Sequence, residues 1–211
     1  MTAHSTSSNP ETTAKLAEIE YPRKAERVYL ASLEIAAVYV GTYGGEHMAI
    51  VGTSRDLGRS AALQQEVWPT FQIVAAWWVR DRQIGEAIVK AVELPLRFVD
   101  PGPRVSDAEH AIALIEDEAR KLGIKLTEHV TALERVKASA EKIKSAVDAL
   151  NKAGDLKWFN DAYREHRARG SRLTYAAARA RLYRAVAKRL VLGERWDLSA
   201  KLLADVFGEM R

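Results

Sequence analysis

The sequence predicts an α+β protein: a small antiparallel three-stranded sheet with flanking helices, followed by an all-helical C-terminal domain. Three observations carry this expectation. Two short β-branched apolar runs lie either side of a Gly-Gly pair, and a longer run, Thr70 to Val79, follows after a helical interval. From Ser106 onward, apolar residues recur at steps of three and four, the period of a helix with one buried face.

Taken in order, Met1 to Thr13 is polar, rich in Ser, Thr and Asn, and lacks the apolar core of a signal peptide, so residues 1–22 are expected to form a disordered tail. A first helix is expected from about Arg23 to Leu33. Ile35 to Val40 and Met48 to Gly52 read as paired strands. Between them, Tyr43-Gly44-Gly45-Glu46 supplies the positive φ angles of a tight hairpin. Asp56 caps a helix to about Val67 that Pro69 ends, and Leu57, Ala61 and Leu63 or Gln64 set its inner side. Thr70 to Val79, which contains Trp77-Trp78, is the third strand. Asp81 caps a helix to about Leu94 whose apolar side carries Ile84, Ile88, Ala91 and Val92. Residues 23–98 therefore form an α/β domain, and Val99-Asp100-Pro101-Gly102-Pro103 is its boundary loop.

Residues 104–153 read as connecting helices. Ser106 and Glu109 form a capping box for a helix to Leu122, which Gly123 closes. A long helix follows from Thr127 to about Ala153, with an apolar stripe through Val130, Leu133, Val136, Ala140, Ile143, Val147 and Leu150. Gly154 ends it. Residues 154–211 form the last unit, with helices from Asp155 to Arg169, from Tyr175 to Leu192 under a Thr174 cap, and from Asp197 to Phe207.

The 211 residues include no cysteine, which excludes a disulfide framework, a thiol nucleophile and a cysteine-ligated zinc or iron–sulfur site, and suits a reducing cytoplasm. No apolar run approaches the roughly 18 residues of a membrane span, so no membrane partner is expected. The five histidines are scattered, without a pair at metal-ligand spacing, and there is no phosphate-loop or dinucleotide fingerprint. Adjacent residues of a strand face opposite sides, so Trp77 and Trp78 are expected to pack on the two faces of the sheet.

Charge is distributed unevenly. Residues 151–211 carry 14 Lys and Arg against 7 Asp and Glu, a net of +7, while residues 1–150 carry 18 against 21, a net of −3. Such an asymmetry implies a polyanionic partner at the basic end. Arg181, Arg184 and Lys188 recur at steps of three and four and share a helix face. Arg172 and Arg179 precede them among small residues, and Arg164 and Arg167 lie on the preceding helix. The short turn Gly170-Ser171-Arg172-Leu173 gives a layout like a helix-turn-helix. These seven side chains are the candidate phosphate contacts.

Val38-Tyr39-Val40, Ile50-Val51-Gly52, the polar link Thr53-Ser54-Arg55-Asp56-Leu57, the pair Leu63-Gln64 and Gly85-Glu86-Ala87 follow one another in an order that resembles the GIY-YIG superfamily, in its phage-type and bacterial branch. The resemblance spans residues of about 38–92. It implies paired motif strands, a helix bearing an arginine, and a glutamate that holds a divalent metal such as Mg2+. On that resemblance Tyr39, Arg59 and Glu86 are the candidate catalytic residues, with Glu86 the metal ligand. The second motif tyrosine is replaced by Ile50, and the arginine position is Ser60, with Arg59 one residue early. The domain therefore reads as degenerate. The expectation is a nucleic-acid-associated protein, DNA first, without a cofactor. The alternatives are a metal-dependent endonuclease and an assembly module that forms a homo-oligomer through the 127–153 helix.

Overall fold

The computed structural model describes residues 16–43, 49–97, 107–152, 156–195 and 200–208. Its elements in chain order are α1 (Lys24–Ser32), β1 (Ala36–Thr42), β2 (Ala49–Ser54), α2 (Leu57–Gln65), β3 (Gln72–Val79), α3 (Arg82–Arg97), α4 (Ala108–Lys121), β4 (Thr127–Glu128), α5 (His129–Lys152), α6 (Lys157–Ala168), α7 (Tyr175–Val191) and α8 (Ala200–Phe207). Among the described residues no helix is long and apolar enough to cross a membrane.

The sheet has four strands rather than three, in the antiparallel order β2-β1-β3-β4. The expected long helix from Thr127 is the source of the difference. Thr127 and Glu128 pair with Trp78 and Trp77 as a short edge strand, and the helix starts at His129. Two residues are too few for alternation to register in a sequence; the free edge of β3 makes them a strand. The same edge is covered further along by Ile19, whose N–H donates to the carbonyl of Ile73. An edge with its ladder groups occupied offers little to a foreign strand.

Several local signals act as expected. β1 and β2 pair antiparallel with Thr42 opposite Ala49, while the Gly44-Gly45 turn between them lies outside the described residues. Asp56, Asp81 and Thr174 each accept a hydrogen bond from the backbone N–H three residues on. The start of α4 is a correction. Asp107 accepts from the N–H of His110, one residue after the position expected of a cap at Ser106, which itself lies outside the described residues. The Val99–Pro103 boundary and the expected starts at Asp155 and Asp197 also lie outside them.

β1 is buried along its whole length because helices cover both faces. Ile35, Ala37, Tyr39 and Trp78 face one side, where α1, α2, α5 and the end of α7 pack. Ala36, Val38, Val40 and Trp77 face the other, under α3 and α4. The two tryptophans thus divide between the faces. Gly52 is required by this packing: a Cβ there would stand 2.6 Å from the Oη of Tyr39.

A third apolar cluster joins α6, α7 and α8 around Phe159, Leu182, Leu202 and Val206. Helix α7 belongs to two clusters at once. Ala178, Leu182 and Val186 enter the helical cluster, whereas Ala187, Val191 and Leu192 pack with the sheet. The basic C-terminal segment is therefore continuous with the sheet core across residue 154. In α5 the inner side chains are Ala132, Leu133 and Val136, and Val130, expected on the apolar stripe, is 62% exposed. The side chains of the stripe beyond Val136 lie outside the described residues.

His129 pins the start of α5 beneath the sheet. The indole Nε1 of Trp78 donates to its Nδ1 at 3.0 Å, and its Nε2 lies 2.7 Å from the carbonyl of Glu20. An indole nitrogen only donates, so Nδ1 must accept and Nε2 must carry the hydrogen; the buried ring is neutral in this arrangement. Burial pushes the imidazole below its ordinary value, partly offset by the Glu20 carbonyl and the charge of Glu20. The folded state thus binds fewer protons at this ring than the unfolded chain does. Its contribution to stability is complete above about pH 6.5 and is lost as pH falls through the depressed folded value. In an NMR titration the His129 ring should show a midpoint below about 6.5, with chemical stability declining over the same interval.

Candidate functional site

The basic residues of α7 divide between two sides of the helix. Arg181, Arg184 and Lys188 line one cleft of about 320 Å³, whose opposite walls are Leu33 and Glu34 after α1 and Asp205 and Val206 of α8. Arg179 lies nine positions before Lys188, which at about 100° per residue places it on the opposite side of the helix. There it donates to the hydroxyl of Tyr183 at 3.1 Å and stands over that ring. Arg164 and Arg167, near the α6–α7 turn, are held by Asp161 and by the carbonyl of Ser171. Arg172 is exposed in the same turn.

Beside the cleft lies an ion network. Arg80, directly after β3, donates to both oxygens of Asp205 at 2.6 Å and to Glu194 at 2.7 Å. Arg189, 4% exposed on α7, donates to Asp205 from Nε and from a terminal nitrogen, and to the carbonyl of Arg195. Burial of Asp205 opposes its ionisation. The hydrogen bonds and charges of Arg80 and Arg189 outweigh it and hold the carboxyl below the usual range. A charge as buried as Arg189 persists because it is paired and its donors are satisfied.

The three cations of the cleft are differently committed. Arg181 gives one N–H to the carbonyl of Val206 at 3.3 Å. Arg184 pairs with Glu34 at 2.9 Å, and both side chains are exposed. Lys188 is half-buried. Burial, reinforced by the charge of Arg80 and partly offset by Asp81, Asp205 and Glu34, pushes its ammonium below the ordinary lysine value. Glu34 takes a φ of 60°, the one positive φ among the described non-glycine residues. It follows the C-terminus of α1, where glycine is the usual residue, and its backbone carries a cost of about 1–2 kcal/mol.

The residues singled out by the GIY-YIG resemblance are placed apart. Tyr39 is buried on the face covered by α1 and α2, and burial pushes its phenol up. Glu86 belongs to α3, on the other face, and its carboxylate pairs with Arg82 at 2.6 Å. Among the described residues no group of three His, Asp or Glu gathers as metal ligands. Arg59 and Arg55 are exposed, and Ser60 donates to Ser54 at 2.7 Å. The sheet therefore lies between the side chain of Tyr39 and the helix that carries Glu86.

Glu34 and Asp205 belong to the cleft, and Arg80 to the network beside it, without any local sequence signal. Arg184 and Glu34 are 150 residues apart, and Arg80 and Asp205 are 125 apart. Replacing Asp205 by Ala leaves buried Arg189 without its carboxylate and should cost about 3 kcal/mol in urea unfolding. Asp161→Ala, which breaks only the exposed pair with Arg164, should cost no more than about 0.5 kcal/mol. Comparison of the chain with family models, with curated proteins and with solved structures returns no match.

Proposed function

We propose that this protein associates with nucleic acid, DNA in the first instance, by seating backbone phosphate in the cleft of Arg181, Arg184 and Lys188. The observation that carries this reading is the convergence of three cations from one helix face on a single concavity. Guanidinium groups present forked donors to phosphate oxygens, and the net +7 of residues 151–211 supplies a favourable field around them. Arg164, Arg167 and Arg172 form a second, more exposed group at the α6–α7 turn, where backbone contacts would fix register rather than sequence.

On this reading the α/β part, with its GIY-YIG-like order of elements, is a scaffold rather than a nuclease. The position of the sheet between the side chain of Tyr39 and the helix that carries Glu86 supports that role, as does the engagement of Glu86 by Arg82. The scaffold sets the cleft through Leu33 and Glu34 on one wall and through Arg80 behind Asp205 on the other.

The test is fluorescence anisotropy of labelled duplex DNA across a salt series. The full chain should bind with a log–log salt slope of about −3.5 to −5.5, the value for four to six phosphate contacts. Replacing Arg181, Arg184 and Lys188 together by Ser should lower the magnitude of that slope by roughly 2–3. Arg179→Ser, on the far side of α7, should leave it unchanged. An unchanged slope in the triple variant would remove the cleft from the interface.

A further inference from the structure

We propose that the cleft is a pocket for a phosphomonoester dianion, with Lys188 as its inner cation and Glu34 as the internal carboxylate that the phosphate displaces from Arg184. The proposal deepens the nucleic-acid reading and rests on it for one point only, that the group is the phosphorylated end of a strand. A free mononucleotide presents the same group.

Three features separate this pocket from a general basic surface. The first is shape. A cleft of about 320 Å³ lies at the lower end of the range for small-molecule sites, and its space is left open by the small residues Ala185 and Ala204. The second is the state of its cations. Among the described residues Arg181 directs one N–H to protein, Arg184 is engaged by an exposed carboxylate that water or a ligand can reach, and Lys188 makes no hydrogen bond or ion pair. An ammonium with three donors, half removed from water, is stabilised by an entering anion. Its lowered pKa, which arises first from burial, agrees with that geometry.

The third feature is Glu34. A non-glycine residue in the left-handed region is uncommon, and such conformations cluster where a ligand or switch uses them. Here that backbone directs a carboxylate against Arg184 at the cleft wall. In the free protein the carboxylate occupies the place of an anion. A ligand that carries more charge and more acceptor oxygens replaces it.

Charge and valence favour a monoester over a diester. A phosphomonoester carries about −1.5 to −2 charges at neutral pH and three acceptor oxygens, one for each of Arg181, Arg184 and Lys188. An internal phosphodiester carries a single charge and two free oxygens. Charge-assisted hydrogen bonds to the extra oxygen correspond to about tenfold or more in affinity.

The experiment uses the full chain and one oligonucleotide labelled at its 3′ end, prepared with a 5′-phosphate or a 5′-hydroxyl, with adenosine monophosphate and adenosine as competitors. The expected result is about tenfold tighter binding of the 5′-phosphorylated strand, lost in Lys188→Met and in Arg181→Gln. Arg181 is exposed, so the second variant reports even if the first fails to fold. Glu34→Gln should tighten binding of the phosphorylated strand several-fold, since the competing carboxylate is gone. If neither strand binds, while isothermal titration calorimetry shows that adenosine monophosphate binds the full chain and adenosine does not, the pocket stands with a mononucleotide as its ligand and the nucleic-acid reading falls. Equal binding of both strands, with no effect of adenosine monophosphate, overturns the pocket and leaves nucleic-acid association in place. No binding of any probe overturns both.

Discussion

Asp205 stands between two arginines that arrive from distant parts of the chain, one at the end of the third strand and one buried on the seventh helix. Arg189 can remain in the interior only because Asp205 and the carbonyl of Arg195 take its donors. Arg80 can turn from the sheet toward the last helix because Asp205 and Glu194 meet it there. The network thereby fixes α8 against the end of β3. Because one wall of the cleft is α8 and another is the residue pair after α1, the cleft is a consequence of the same constraint.

The network also divides the basic residues by task. Arg189 is an internal strut, although nothing in the local sequence distinguishes it from Arg184, five residues earlier. Arg184 meets an exposed glutamate, and Lys188 has no carboxylate of its own among the described residues. A surplus of positive charge in the C-terminal segment is thus partly structural. What is left for a ligand is concentrated where α7 faces α1 and α8. Helix α7 itself can serve both purposes because its two halves pack on different clusters, the first on α6 and α8 and the second on the sheet.

Much of the fold was legible before any coordinates. Caps at Asp56, Asp81 and Thr174, the two paired strands, and the division of Trp77 from Trp78 all follow from short-range rules of sterics and alternation. The steps of three and four that put Arg181, Arg184 and Lys188 on one face were legible for the same reason. The fourth strand was not, because two residues carry no period and their conformation comes from the edge of β3. Nor was the exposure of Val130, since a stripe in sequence does not say where along a helix the packing begins. Glu34 and Asp205 belong to the cleft through contacts between distant segments, and single-sequence patterning is blind to those. Arg179 is the opposite case: composition groups it with residues that the helix turns away from it.

If the Asp205 network ties the sheet to the last two helices, they unfold as one cooperative structure with the cleft at their junction. Native-state amide hydrogen exchange in a denaturant series tests it most directly. The amides of β1 and β3 and those from Val186 to Leu190 in α7 should open with one free energy and one denaturant dependence. Exchange of the α7 amides at a distinctly lower free energy, while β1 and β3 stay protected, would contradict it and leave the helices as a separately unfolding unit.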